Sequence, residues 1–366
     1  MRGLIFYISS LIVALLTFIG CDVHEFPMDS QGLVPLRLHL EFDTELPLFK
    51  TINYTRSEDI NGDHMEKPGE AYDIRYIIKA FRTDNTIGEN RNADTTFVFT
   101  KSDISNLNHS VILELNEGSY DLRVWADYVD AGSDQDKYYN TSNFEEIILA
   151  NEDVHEGNND YRDAFKGEIS VVVKPDIIGD GSAISIRNEA TIVMSRPMGK
   201  FKFIATDGKE FVSRMAQLLH EQGLLSIDTD KMSYEQLLQS IDISQFKVVF
   251  HYNNFMPCSF NMFTDKAADS WTRVNFSSHM YSEQTQELTL GYDYIFVGNN
   301  ETELSISIEV YSKNGELICS TESIKVPIAR SKLTIVKGQF LSSHSSSGGG
   351  ASISPGYEGD DYNIEI

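Results

Sequence analysis

The sequence contains little cysteine, little tryptophan and few basic side chains. It has 366 residues with three Cys and two Trp, and its 30 Lys and Arg face 55 Asp and Glu, a net charge of −25. Three cysteines are too few for a disulfide-dense scaffold or a four-cysteine zinc site. The shortage of positive charge argues against a nucleic-acid partner and against adsorption to an anionic membrane surface.

Motifs that carry enzyme chemistry are also missing. The sequence has no phosphate-binding P-loop, no nucleophile elbow, and no pair of histidines at zinc-protease spacing. Acidic residues are numerous, but nothing in the sequence places two of them across a cleft. We therefore expect no catalytic residue, metal or small-molecule substrate, and we do not expect an enzyme.

The N-terminus differs sharply from the acidic remainder. Arg2 is the only charged residue among positions 1–20, and Leu4–Gly20 is almost entirely apolar. This pattern predicts a secretory signal peptide over residues 1–20. Phe18-Ile19-Gly20-Cys21 is similar to a bacterial lipobox, so we expect Cys21 to carry the lipid that holds the protein in the outer membrane, exposed at the cell surface. An uncleaved anchor and plain secretion are the alternatives.

Two cysteines lie outside this segment. In an oxidising compartment Cys258 and Cys319 could form a disulfide. They could equally be two small buried side chains. The sequence leaves both readings open.

Apolar residues recur with a period of two along most of the chain. The clearest examples are Leu36–Phe42, Tyr120–Tyr128, Phe246–Tyr252 and Leu304–Val310. Such alternation is typical of antiparallel strands with one face in a core. We therefore predict an all-β sandwich architecture.

Helical spacing is confined to one stretch. Asp207 and Glu210 predict a helix start, an apolar stripe follows, and Gly223 can end the helix. Ser233 with Gln236 predicts the start of a second, short helix. The stripe consists of Phe211, Met215, Leu218 and Leu219.

A turn-rich segment at 175–185 suggests a domain boundary. We predict a tether over 21–32, an N-terminal β-sandwich over 33–180 and a C-terminal β-sandwich over 181–341. Residues 342–366 form a Ser/Gly linker that ends in a strand-like segment with alternating Tyr362, Ile364 and Ile366. That segment is either a frayed tail or a strand that pairs with a sheet edge of this chain or of a neighbour.

Exposed aromatic side chains would favour carbohydrate binding. Trp125 falls on the polar side of its alternating segment, so it is either exposed or packed against the other domain. A surface glycan-binding lipoprotein that uses Trp125, Trp271 or clustered tyrosines is therefore the alternative function.

Several short segments resemble one family in order and spacing. They are Cys21–Pro27, Val124–Val129, Tyr138–Asn140, Asp160–Phe165, Ser195–Lys200, Met256–Asn261, Gly291–Val297, Val326–Arg330 and Leu333–Leu341. Together they make residues 21–341 similar to type V pilus (fimbrillin) lipoproteins, with the N-terminal segment resembling the anchor and accessory branch.

This resemblance implies two tandem transthyretin-like sandwiches and a role in a fimbria that supports adhesion. It implies other fimbrial subunits as partners, joined by exchange of β-strands, and attachment to the outer membrane through lipid. Shaft members of the family lose their first strand to an arginine-specific protease. Here Arg37 lies within the first predicted strand, whereas Arg56 lies in a polar loop after it and is the candidate cleavage site. We expect a retained anchor or accessory subunit, with no cofactor except the covalent lipid.

Overall fold

Strands make up most of the chain that can be described. A computed structural model describes residues 33–42, 72–83, 92–104, 106–150, 155–175, 188–225, 231–282, 287–298 and 301–342, and the backbone of 356–357 and 361–365. Cys21, Arg56 and Ile366 lie outside these residues. The predicted all-β architecture is confirmed for the described part.

The strands fall into two series along the chain. The first series is β1 (Leu33–Phe42), β2 (Tyr72–Arg82), β3 (Thr95–Lys101), β4 (His109–Asn116), β5 (Gly118–Asp130), β6 (Tyr139–Asn140), β7 (Ile147–Leu149), β8 (Ala164–Val173) and β9 (Asn188–Met194). The second is β10 (Met198–Ala205), β11 (Lys247–Tyr252), β12 (Met256–Pro257), β13 (Ser259–Asn261), β14 (Lys266–Ala267), β15 (Ser270–Trp271), β16 (Asn275–His279), β17 (Leu288–Phe296), β18 (Thr302–Tyr311), β19 (Leu317–Ser320), β20 (Ile324–Ile328), β21 (Leu333–Gly338), β22 (Gly356–Tyr357) and β23 (Asp361–Glu365).

The first hydrophobic core lies between two sheets. One has the order β4-β1-β9 and the other β3-β2-β5-β8. Alternate residues of each strand point into this core, including Leu38 of β1, Tyr76 of β2 and Leu122 of β5. This is the arrangement that a period of two produces in a sandwich.

The second core is enclosed by two further sheets and two helices. The sheets have the orders β17-β10-β21-β23-β22 and β16-β11-β18-β19, and β20 also pairs with β18. Aromatic rings fill this core: Phe250 stacks on Phe276 with 4.6 Å between ring centroids, and Phe203 meets Phe250 edge to face. Smaller sheets, β14-β13-β7-β6 and β12-β15, lie beside it.

Both predicted helices are present, as α1 (Gly208–Glu221) and α2 (Tyr234–Ser240). Helix α2 begins with the predicted reciprocal hydrogen bonds between Ser233 and Gln236. Gly223 follows α1 with a φ of +72°, a conformation that glycine adopts without strain. Of the predicted stripe, Phe211 and Met215 are buried but Leu218 is exposed. Short 3-10 turns occur at Asp160–Arg162 and Ile243–Gln245.

The first core extends beyond the boundary predicted at residues 180 and 181. Strand β9 comes after that boundary, yet it pairs with β1 and contributes Ile192 and Met194 to the first core. Glycine at position 167 of β8 allows this strand to pack closely, because a Cβ atom there would lie 2.3 Å from Cγ2 of Ile192. Strand pairing therefore places the division between the cores after Met194. The alternation of Ala190, Ile192 and Met194 is the sequence signal for this strand.

The two cores are in direct contact through the outer face of the β3-β2-β5-β8 sheet. Ile77, Phe81 and Trp125 point away from the first core and belong to the second. Trp125 is 0% exposed, with its ring centroid 5.4 Å from that of Tyr139 and 6.4 Å from that of Phe296 in β17. Of the two readings of Trp125, packing against the other half is confirmed.

Candidate functional site

Strand β1 occupies the middle of its sheet. It pairs antiparallel with β4 from Leu33 opposite Asn116 to Leu40 opposite His109. Its other edge pairs in parallel with β9, from Leu36 opposite Asn188 to Phe42 opposite Met194. Both neighbours come from much later in the chain, so β1 fills a position between two strands that do not pair with each other.

The inward side chains of β1 form part of the first core. Leu36, Leu38 and Leu40 are completely or almost completely buried, and Phe42 packs edge to face against Phe165 with 4.7 Å between ring centroids. Burying one such leucine stabilises a fold by about 1.5–3 kcal/mol. Removal of β1 would therefore expose an apolar groove bordered by the unpaired edges of β4 and β9.

The outward side chains of β1 make polar contacts across the sheet. Nη1 of Arg37 lies 3.2 Å from Oε1 of Glu189, and Nδ1 of His39 lies 2.8 Å from Oγ of Ser110. Arg37 is within the paired strand, as predicted. An extended and hydrogen-bonded backbone does not present this arginine to a protease in the way that a loop would.

The other end of the chain also forms a strand. Backbone pairing joins β23 in parallel to β21, with Tyr362 opposite Thr334 and Ile364 opposite Val336. The short β22 lies on the far side of β23, at the end of the sheet. The alternatives were a frayed tail, a strand paired within the chain, and a strand paired with a neighbour. In the structure the tail pairs with a sheet edge of its own chain.

Side chains at and near the start of helix α1 bind the segment in which the chain leaves the second core. Oδ2 of Asp207 accepts hydrogen bonds from the backbone N–H of Leu341 at 3.0 Å, and from both the N–H and the hydroxyl of Ser342 at 2.6 Å. Nη2 of Arg214 donates to the carbonyl of Leu341 at 2.8 Å. Sequence reasoning assigned Asp207 only to the helix start, whereas its side chain makes no capping hydrogen bond and instead fixes the start of the tail.

A buried cluster of charged groups lies where the two cores meet. Asp293 of β17 accepts hydrogen bonds from Nη1 of Arg162 at 2.5 Å and from the Tyr252 hydroxyl at 2.5 Å, and its Oδ2 lies 2.6 Å from Nε2 of His155. All four side chains are buried. Burial by itself would raise the pKa of Asp293, but the charges of Arg162 and His155 and the hydrogen bonds outweigh burial and lower that pKa.

Three more ion pairs connect residues 160–166 to residues that follow strand β9. Asp163 binds Arg196 at 2.7 Å, Asp160 binds Lys200 at 2.6 Å, and Lys166 binds Asp265 at 2.6 Å. Charge pairs of this kind are most sensitive to loss of one partner, because the other is then left buried without a countercharge. The cluster therefore fixes how the first core is joined to the second.

The two cysteines of the body are both buried. Cys258 lies between β12 and β13, Cys319 lies in β19, and no disulfide joins them in the described residues. Burial raises the pKa of the Cys319 thiol to about 11, so it remains protonated at neutral pH. The arrangement corresponds to the second reading, two small buried side chains.

Within the described ranges, no group of three or more His, Cys, Asp or Glu side chains is placed to hold a metal ion. Among the helices that the structure describes, none has the length and apolarity needed to cross a membrane.

Comparison with protein-family models gives one match over nearly the whole chain. The model described as "Family of unknown function (DUF6562)" matches residues 32–366. The chain belongs to this DUF6562 family. The matched range contains both cores and the terminal strand, so they form one family unit. No curated protein matches the sequence.

Several solved structures resemble this DUF6562 member. The fimbrial anchor protein Mfa2 from Porphyromonas gingivalis aligns at 11% identity and a TM-score of 0.35, covering 79% of this chain and 82% of that one. The tip fimbrial protein Mfa3 from the same organism aligns at 9% identity and 0.34, covering 80% and 81%. A candidate adhesin from Bacteroides thetaiotaomicron aligns at 10% identity and 0.38, covering 80% of each chain.

Proposed function

We propose that this protein is a cell-surface lipoprotein subunit of a fimbria of the type V pilus kind, which joins neighbouring subunits by exchange of β-strands and supports adhesion. One observation carries the proposal: β1 lies between β4 and β9 and fills the first core with alternate leucines. In this proposal the two cores are tandem transthyretin-like sandwiches, and the helices are an insertion in the second.

Strand exchange follows from the physical properties of that position. A strand that bonds on both edges and fills a core with alternate side chains contributes main-chain hydrogen bonds and apolar burial together. Any strand with the same alternation can supply both, and the terminal segment Asp361–Glu365 already forms a strand on a sheet edge. The position of β1 is therefore one that a donated strand could fill if β1 were removed, and Asp361–Glu365 is a strand that can be offered to a neighbour while β1 stays in place.

Attachment to the outer membrane is assigned to the lipid on Cys21. Several acyl chains on one residue give stable anchoring, whereas a single chain does not. The full sequence has a net charge of −25, so anionic membrane lipid repels the protein. In this proposal the acyl chains on Cys21 are therefore its only contact with the membrane. We further propose that β1 is retained in the mature protein, which makes it an anchor or accessory subunit.

Mass spectrometry of surface material tests retention directly. We expect a mature chain that begins at a lipid-modified Cys21, with β1 present. A mature chain that begins after Arg56 would show that β1 and the lipid are removed, and the anchor assignment would then be wrong. Labelled palmitate tests the lipid: incorporation should be lost in Cys21→Ala, and incorporation that survives this change would contradict lipidation at Cys21.

Purification of native filaments tests the fimbrial role. We expect the chain to copurify with filaments, at their base if it is the anchor. The control is Cys21→Ala. This variant lacks the lipid, so it should be released from the cell, and filaments should be absent from the cell surface. Absence of the wild-type chain from purified filaments would contradict the proposal.

The alternative of glycan binding through tryptophan loses its basis. Trp125 is 0% exposed and Trp271 is 9% exposed, so neither indole offers a face to a sugar. We also propose that the protein is not an enzyme, has no cofactor besides the lipid, and binds no nucleic acid.

A further inference from the structure

Strand β17 lies at the end of its sheet. In the described strand order, β17-β10-β21-β23-β22, its one strand neighbour is β10. The strand is nine residues long, all of them buried, and its one charged residue is Asp293 of the buried cluster. A long, apolar strand with a free edge is a template on which another chain can add a strand. The outer edge of β17 therefore needs a cover if the protein is not to pair there.

Three backbone N–H groups along β17 are bonded outside its pairing with β10. They belong to Thr289, Tyr292 and Tyr294, which donate at 2.8 Å to the Tyr281 carbonyl, Oδ1 of Asn158 and Oδ1 of Asp293, respectively. An added strand would need such N–H groups as its donors. The outer edge of β17 is therefore already bonded at successive positions.

Asn158 takes the place of one residue of a neighbouring strand. Its backbone N–H donates to the carbonyl of Tyr292 at 2.8 Å, and its Oδ1 accepts from the N–H of the same tyrosine. Two residues that face each other in an antiparallel pair exchange bonds in this way. Nδ2 of Asn158 also donates to Oγ of Ser278 at 2.7 Å, in β16 of the facing sheet. Asn158 therefore bridges the two sheets of the second sandwich at this edge.

The residues before Asn158 hold it in this position. Its φ is +57°, a conformation that asparagine adopts more readily than most residues. A Cβ atom on Gly157 would overlap the ring of Phe276, so glycine allows the segment to lie directly on the second core. Nε2 of His155 lies 2.6 Å from Oδ2 of Asp293. The segment is therefore fixed to β17 and to the core beneath it.

We propose that residues 155–159, the edge plug, close the outer edge of β17 against strands of other chains. The plug comes from the segment between β7 and β8, so the first half of the chain protects an edge of the second half. Strands that subunits exchange are thereby directed away from β17. This consequence rests on the proposed function, whereas closure of the edge does not.

Hydrogen exchange and self-association of the full-length protein, purified in detergent, test the proposal without filaments. Asn158→Gly tolerates the positive φ but removes the side-chain bonds to Tyr292 and Ser278. At low protein concentration, we expect the Tyr292 amide to exchange about tenfold faster or more, because a buried N–H loses its acceptor. Sedimentation velocity at higher concentration should then show more association between copies than in the wild type.

Gly157→Ala opens the same edge by a different route. Its methyl group overlaps the ring of Phe276 and displaces the plug from the second core. Faster exchange at Tyr292 and increased association between copies should therefore recur in this variant.

Two controls separate an opened edge from general instability. Ser331→Gly makes the same kind of change at a φ of +58° in the turn before β21, and it should behave like the wild type. Leu38→Ala weakens the first core without touching β17, so it should associate no more than the wild type under native conditions.

Three results would overturn the proposal. They are unchanged exchange at Tyr292 in both plug variants, faster exchange without increased association, and association in Leu38→Ala equal to that of the plug variants. Absence of the wild-type chain from purified filaments would contradict the proposed function but would leave the closed edge of β17 intact.

Discussion

The strands near the two ends of the chain differ in what they complete. Strand β1 has 10 residues, pairs on both edges and places alternate leucines in the first core. Strand β23 has five residues and adds to the outer edge of a sheet that already contains β10 and β21. Loss of β1 opens a core, whereas loss of β23 uncovers a sheet edge. The difference indicates that β1 is a structural part of the subunit and β23 is an addition to it.

The comparison assumes that the two cores unfold as one unit. The buried cluster around Asp293, where the two cores meet, allows this assumption to be tested. Asp293→Asn removes the countercharge of Arg162 and should lower the free energy of unfolding by about 3–5 kcal/mol at neutral pH. Urea denaturation measures this. The control is Glu303→Gln in β18, whose exposed carboxylate pairs with Lys325 at 3.0 Å, and it should cost less than about 1 kcal/mol. Two separate unfolding transitions in the wild type would show that the cores are not joined.

The effect of Asp293→Asn on the free energy of unfolding should depend on pH. The native pKa of Asp293 is lowered below its ordinary value of 3.8, so its carboxylate stabilises the fold fully above that value. The contribution is lost as the pH falls through the lowered native pKa. The stability difference between wild type and Asp293→Asn should therefore shrink at acid pH, and a difference that grew there would contradict the assignment.

The next largest effect concerns the inward face of β1. Leu38→Ala leaves a cavity at a completely buried position and should lower the free energy of unfolding by about 3 kcal/mol. Arg37→Ala, one residue earlier, removes only an exposed ion pair and should cost less than about 1 kcal/mol. Thermal and urea denaturation of both variants compare the two faces. Equal losses would mean that β1 is not held by its leucines.

A smaller effect is expected where the tail leaves the body. Asp207→Ala leaves the backbone N–H groups of Leu341 and Ser342 without their acceptor and should cost about 1–3 kcal/mol. Glu210→Ala, exposed on the first turn of the same helix, is the control. Faster hydrogen exchange at residues 341 and 342 in Asp207→Ala, but not in the control, would localise the effect.

The smallest effect on stability is expected from the tail itself. Deletion of residues 343–366 should lower the free energy of unfolding by less than about 1 kcal/mol, because an edge strand at a chain end opens at low cost. Incorporation into filaments should nevertheless be lost. A stability loss as large as that of Leu38→Ala would make β23 part of the core, and unchanged incorporation would make it dispensable.

Local structure was largely predictable from the sequence. The alternation at Leu36–Phe42 and Leu304–Val310 gave strands β1 and β18, and Ser233 with Gln236 gave the start of α2. These features depend on neighbours two to four residues apart, so the side-chain pattern specifies them. Cys21 and Arg56 lie outside the described residues, so lipidation at Cys21 and cleavage after Arg56 stay predictions.

Long-range pairing was not predictable in the same way. Alternation marks Ala190, Ile192 and Met194 as a strand, but it does not say that this strand pairs with β1, about 150 residues earlier in the chain. Contacts of this kind depend on which sheets pack together.

The sequence by itself determined the sandwich architecture, the acidic surface and the lipobox-like start, because each is written in composition or in short-range periodicity. Only the tertiary structure decided that β9 closes the first core, that Trp125 joins the two halves, and that the tail pairs with β21 of its own chain. Apolar residues at every second position determine which face of a strand is buried. The packing of strands that are distant in the sequence determines which strand it pairs with.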